Sequence, residues 1–182
     1  LSQWKLLELG KLTREEVLVR RYEILFQEVG MSCDAKKISE KYEDFLGEGH
    51  YFIPGAKELL EDLSKKYHLY LASNGAVKVQ MSRIQSAGIE KYLEKIFLSE
   101  QIGYEKPSPQ FFEKCFAQIP NFKKEEALIL GDSLTSDIRG GKNAGILTVW
   151  FHPSGKKVEE EIVPDYEIGK LEELKTILSF YS

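Results

Sequence analysis

Residues 127–150 read ALILGDSLTSDIRGGKNAGILTVW, and the fold turns on this stretch. The apolar run Ala127-Leu128-Ile129-Leu130 has the length and composition of a buried strand. Gly131 ends it, and Asp132 and Ser133 stand where a helix should begin. Ile138 and the pair Gly140-Gly141 fall on a short helix closed near Gly145, and Ile146-Leu147-Thr148-Val149-Trp150 forms the next strand. The result is a β-turn-α-β unit with two carboxylates, Asp132 and Asp137, beside the C-terminal end of its first strand. Ligands of open parallel sheets bind at that end, and paired carboxylates there suit a hard cation such as magnesium. The competing reading is that Asp132 only caps the helix, as Asp readily does, while Asp137 is solvated.

Working outward from this unit, strands and helices alternate. A helix over 55–67 precedes a strand over 68–73, then a helix over 77–87. A short strand at 96–98 leads to the loop 103–109 and a helix over 110–118. Beyond the central unit, Tyr166-Glu167-Ile168 and a helix over 171–180 follow. Such alternation implies a parallel sheet with right-handed crossovers and helices on both faces, a Rossmann-like α/β core. Upstream the pattern is different. Residues 2–9 are helical and stop at Gly10. Thr13-Arg14-Glu15-Glu16 is a capping box, and Leu18, Tyr22, Leu25 and Val29 form an apolar stripe that Gly30 closes. A third helix over 34–46 carries Ile38, Tyr42 and Phe45 on one face, ending at Gly47. The expected division is therefore a helical lobe over 1–48 and an α/β core over 49–182, joined through the connector 49–53, with Pro54 in the first turn of a helix.

Composition bounds the function. The 182 residues carry a net charge of −4, with 42% apolar and 12% aromatic residues, enough for a real core and without the basic footprint of a nucleic-acid binder. No apolar run reaches the length of a membrane span, and no signal peptide is recognisable. Cys33 and Cys115 stand alone, which argues against zinc and against a disulfide framework. A reduced, cytoplasmic protein is the expectation.

Three strand ends supply polar groups. The strand over 68–73 finishes in Ser73-Asn74-Gly75, where a hydroxyl and backbone N–H groups ahead of a helix make an anion site, or merely a common turn. Lys106 lies between Glu105 and Pro107-Ser108-Pro109, a rigid setting that could aim its ammonium at a phosphate; a plain surface Lys is the alternative. With Asp132 and Asp137 the set is a Ser, a Lys and two Asp, each just after a strand, suited to a phosphate and a divalent cation.

Ser73-Asn74, Lys106-Pro107 and Gly131-Asp132-Ser133 followed by Asp137 resemble, in order and spacing, the second to fourth motifs of the haloacid dehalogenase-like hydrolases. The resemblance covers nearly the whole chain. The five-residue step from Asp132 to Asp137 is similar to the branch holding pyrimidine 5′-nucleotidases and acylneuraminate 9-phosphatases. Residues 8–17 and 162–168 are similar to the bacterial nucleotidases in particular. The resemblance implies that Ser73, Asn74, Gly75 and Lys106 hold the phosphoryl group, with Ser73 and Lys106 catalytic. It further implies that Asp132 binds Mg2+, and that Asp137 reaches the metal through water or holds Lys106. The helical lobe would be a cap that closes over the site.

The implied activity is a magnesium-dependent phosphomonoesterase acting on nucleoside 5′-monophosphates, pyrimidine ones preferred, through an aspartyl-phosphate. A sugar-phosphate phosphatase of the same superfamily is the alternative, as is a non-catalytic module holding a phosphorylated metabolite. The family's nucleophile is the first Asp of an Asp-x-Asp segment on a strand preceding the cap, and this sequence contains no Asp-x-Asp. The expectation is a fragment of a longer chain, lacking the strand between those ending at Ser73 and Gly131, and poorly folded when expressed alone.

Overall fold

The structure, a computed structural model, describes residues 3–8, 10–155 and 161–181. It divides into two compact units: 1–50 with 77–87, and 51–76 with 88–182.

The first unit contains α1 (Gln3–Glu8), α2 (Arg14–Glu28), α3 (Ala35–Glu48) and α5 (Val77–Ala87). Ser2 and Leu9, at the ends of the first expected helix, lie outside the described residues. The capping box forms as expected: the Thr13 hydroxyl accepts the Glu16 N–H at 3.2 Å, and the Glu16 carboxylate accepts the Thr13 N–H at 2.7 Å. Asp34 caps α3 by accepting the Lys37 N–H at 3.0 Å. α3 packs on both α2 and α5, but the buried stripe is offset around the helix from the expected one. Ile38, Tyr42 and Phe45 are 37%, 44% and 68% exposed, whereas Ala35, Ser39 and Gly47 are buried. The Ser39 hydroxyl donates to Leu18 O and the Ser82 hydroxyl to Gly47 O. Short side chains let the helices approach closely, and hydroxyls spend their hydrogen bonds there, so the smaller stripe is the packed one. Gly47 lies inside α3 rather than at its end. On α2 the same correction applies: Val17 is fully buried, while Leu25 and Val29 are exposed.

The second unit begins with α4 (Ala56–Leu63), which enters through Gly55 in the left-handed region at φ 79°. It continues with β1 (Tyr70–Ser73), β2 (Lys95–Leu98), α6 (Ser99–Ile102), α7 (Pro109–Phe116), β3 (Leu128–Gly131), α8 (Arg139–Ala144), β4 (Leu147–Phe151), β5 (Tyr166–Ile168) and α9 (Leu174–Leu178). All pairings are parallel. The strands form two sheets, β1-β2 and β3-β4-β5, rather than one. Among the described residues nothing pairs with the second edge of β1 or of β3. Both strands are accordingly half-buried at every position, whereas β4, flanked on both sides, is buried at four of its five.

The side chains of β3 alternate between two cores, as a doubly covered strand requires. Leu128 and Leu130 pack with Leu59 of α4, Val149, Phe151 and Ile177 of α9. Ile129 packs on the other side with Phe111, Phe112 and Cys115 of α7 and Ala144 of α8, in a cluster that also takes in Tyr70 and Ala72 of β1. Helices thus cover both faces. Asp165 ties the last strand to β4: it accepts from the buried Thr148 N–H at 2.9 Å and hydroxyl at 2.7 Å, and pairs with Lys142 at 2.5 Å.

Candidate active site

The tips of β1 and β3 carry the polar residues, and one side chain joins them. Lys106 is 6% exposed, contrary to the usual place of a Lys. Its Nζ donates to Ala72 O on β1 at 2.7 Å and to Asp137 Oδ1, beyond the tip of β3, at 2.6 Å. The backbone holding Lys106 is fixed as well. Asn74 donates through Nδ2 to Lys106 O at 2.9 Å and accepts the Lys106 N–H on Oδ1 at 2.8 Å. Its amide therefore spans two loops and faces the Lys106 peptide. The Ser73 hydroxyl accepts the Gly75 N–H at 3.0 Å, the local bond of a Ser-Asn-Gly turn. Seryl oxygen and turn N–H lie together at the strand tip, directly after Ala72, whose carbonyl anchors Lys106.

Asp137 reaches Lys106 because the chain after β3 does not start an ordinary helix. Leu134–Ile138 form one π-helical turn, in which both Asp137 N and Ile138 N bond to Ser133 O. Single π turns of this kind occur often at functional sites. The wide turn carries Asp137 back over Gly131, where an ideal Cβ would lie only 2.3 Å from Asp137 Cβ. Glycine is required at 131 by that approach. Asp137 is 7% exposed; besides Lys106 it accepts the Ser133 N–H on Oδ2 at 3.1 Å. Both of its oxygens thus have partners within the protein.

Ser133, not Asp132, caps the turn, its hydroxyl accepting the Ser136 N–H at 3.2 Å. The Asp132 carboxylate is exposed, and among the described residues nothing bonds it. The helix-cap alternative for Asp132 and the solvated alternative for Asp137 are both removed. Among the described residues no group of three or more His, Cys, Asp or Glu could by itself hold a metal. A free carboxylate at a strand end nevertheless has the oxygen chemistry of an Mg2+ ligand, since that ion keeps several waters and takes one or two carboxylates with the substrate's phosphate. The sequence pattern missed Trp150, whose indole N–H donates to Asp132 O at 2.9 Å; an aromatic in a strand reads as core, and Trp150 is also that.

Residues 4–151 match the model of the haloacid dehalogenase-like hydrolase family. The chain belongs to this family. The HAD-hydrolase YfnB of Bacillus subtilis is 43% identical over 97% of this chain and 75% of its own length. Its crystal structure, described as bound to magnesium, superposes with a TM-score of 0.92 over 97% of this chain and 77% of that one. The pyrimidine 5′-nucleotidase PynA of Streptococcus pneumoniae is 37% identical, over 94% of this chain and 73% of its own length. A second pyrimidine 5′-nucleotidase, YjjG of Escherichia coli, is 28% identical over 81% and 66%. The fold is thus the α/β fold of haloacid dehalogenase-like hydrolases, with parallel sheets flanked by helices, and the chain is a hydrolase of that family. No helix among the described residues is long and apolar enough to cross a membrane.

Proposed function

We propose that the complete protein is a magnesium-dependent phosphomonoesterase that hydrolyses nucleoside 5′-monophosphates, pyrimidine ones in preference. One observation carries this reading: a buried Lys ammonium, anchored to both Ala72 O and Asp137, lies at the tips of two parallel strands that also carry Ser73 and the exposed Asp132 carboxylate. Phosphoryl transfer asks a protein chiefly for positioning and for charge stabilisation. Lys106 brings a fixed positive charge that needs no reorganisation, because Asp137 and Asn74 hold its two ends. Ser73 Oγ and the Gly75 N–H exchange their mutual bond for bonds to phosphoryl oxygens. Asp132 would hold Mg2+, which neutralises charge on the transferring group. Asp137 keeps Lys106 aimed.

The attacking carboxylate belongs, on this reading, to a further strand between β1 and β3. Support comes from the two edges that nothing among the described residues pairs with, since unpaired ladder groups in a sheet interior are costly. The preference for nucleotides is supported by the two nucleotidases named above. The helical unit would act as the cap. The test is release of inorganic phosphate by the complete protein from a panel of nucleoside and sugar monophosphates, with Mg2+ and with EDTA. Selective turnover of sugar phosphates would replace the substrate class. Binding of phosphorylated ligands without turnover would leave a binding module.

A further inference from the structure

Asp132 is the first residue beyond the β3–β4 ladder, which ends at the pair Gly131 and Trp150. Its carbonyl therefore has no strand partner, and a peptide at that point is free to rotate unless something else bonds it. The Trp150 indole N–H supplies the bond from the neighbouring strand, at 2.9 Å. The indole is itself held. The ring of His152 stacks on it at 3.9 Å between centroids and 15° between planes. His152 in turn is fixed at both nitrogens, Nδ1 to Glu167 Oε1 and Nε2 to Ser154 Oγ, each at 2.8 Å. Glu167 lies opposite Trp150 in the β4–β5 register, so the row Gly131, Trp150, Glu167 crosses the sheet. Apolar packing against Leu134 and Ile138 explains a large ring at 150 but not the aimed N–H, nor a His pinned flat upon it.

We infer that Trp150, clamped by His152 and Glu167, is a positioning residue that sets the peptide plane of Asp132 and so presents its carboxylate to the cation. The inference rests on the reading of Asp132 as the Mg2+ ligand. With the carbonyl turned to Trp150, the carboxylate is the oxygen group of Asp132 left for a metal. Outer partners that orient a ligand typically change metal affinity by one to two orders of magnitude when removed.

The experiment uses the complete protein in a Trp4→Phe background, so that position 150 carries the only indole of this sequence. Trp150 is then replaced by its isostere β-(3-benzothienyl)alanine, which keeps the bicyclic ring and the stack on His152 but has sulfur in place of N–H. Trp150→Phe serves as a second variant. Mg2+ binding is measured by isothermal titration calorimetry, alongside thermal unfolding and hydrolysis of p-nitrophenyl phosphate at saturating Mg2+. The expected result is a Mg2+ Kd raised roughly tenfold in the isostere, with Tm and the KM for substrate unchanged. A Kd within twofold of the parent overturns the inference. Asp132→Asn separates the two claims. If the Asp132→Asn variant loses Mg2+ binding while the isostere keeps it, Trp150 has only a packing role and the metal site stands. If Asp132→Asn binds Mg2+ as the parent does, the metal site and the inference both fall.

Discussion

Gly131→Ala is the smallest change that should uncouple Lys106 from Asp137. A Cβ at 131 would meet Asp137 Cβ at 2.3 Å and Cγ and Oδ2 at 2.4 Å, where ordinary contact begins near 3.4 Å. Asp137 must therefore retreat by about 1 Å. Its 2.6 Å contact with Lys106 then stretches beyond hydrogen-bonding distance, and the 3.1 Å bond from Ser133 N–H goes with it. Both partners are buried, so the loss leaves a largely uncompensated ammonium, worth about 3–5 kcal/mol. For a chain of this size that is a Tm lower by about 10 °C. A misplacement of about 1 Å at the reacting centre can lower turnover about 100-fold. The assay is thermal unfolding with steady-state kinetics on the complete protein, next to Gly141→Ala as comparator. At 141 the new Cβ meets the methyl groups of Ile129 and Thr148, at 2.5 and 2.7 Å, rather than Asp137. It should lower Tm while kcat at a permissive temperature stays within a few-fold of wild type. A Gly131→Ala protein with wild-type kcat and Tm would refute the reasoning, for Asp137 would then hold Lys106 from elsewhere.

Asp132→Asn should abolish Mg2+-dependent turnover at unchanged Tm, since its carboxylate is exposed and nothing among the described residues bonds it; full activity in saturating Mg2+ would count against it. Lys106→Ala should lower kcat by at least about 100-fold, and a change confined to KM would mean that Lys106 contacts ground and transition states equally. Asp165 would be raised by burial, yet bonds from Lys142 and Thr148 hold its pKa below the ordinary carboxylate value. A lowered carboxylate stabilises above the unfolded pKa, near 4, and that contribution is lost as pH falls through the folded value. Asp165→Ala should thus cost about 2 kcal/mol at neutral pH, most of it from the Thr148 bonds because the exposed Lys142 pair adds little. The gap from wild type should narrow in acid, and a pH-independent gap in Tm would contradict this assignment.

Much of the fold was legible in the sequence because its signals are local. The step from apolar run to Gly131-Asp132 marked β3, Thr13 and Glu16 marked the start of α2, and Val77–Ala87 was read to the residue. The packed face of α3 was not legible. A period of 3.6 is satisfied by the large residues Ile38, Tyr42 and Phe45, but equally by Ala35, Ser39 and Gly47, and only tertiary contacts decide between them. At the site, strand-end position singled out Ser73, Lys106, Asp132 and Asp137. The π turn that folds Asp137 onto Gly131 leaves no sequence periodicity to detect, so the sequence left open whether Asp137 faces metal or Lys. The turn position of Asn74 pointed to its backbone N–H as an anion donor, but gave no sign that its side-chain amide would bond the Lys106 peptide. Such reciprocal contacts join segments 32 residues apart and have no local signature.

The central claim, that this site hydrolyses nucleoside monophosphates with Mg2+, is tested most directly by phosphate release from uridine and thymidine 5′-monophosphates by the complete protein. Wild type should release phosphate from these faster than from purine nucleotides or sugar phosphates, lose activity in EDTA and regain it with Mg2+, while Asp132→Asn stays inactive throughout. Equal turnover with and without the metal, or an Asp132→Asn protein as active as wild type, would contradict the account.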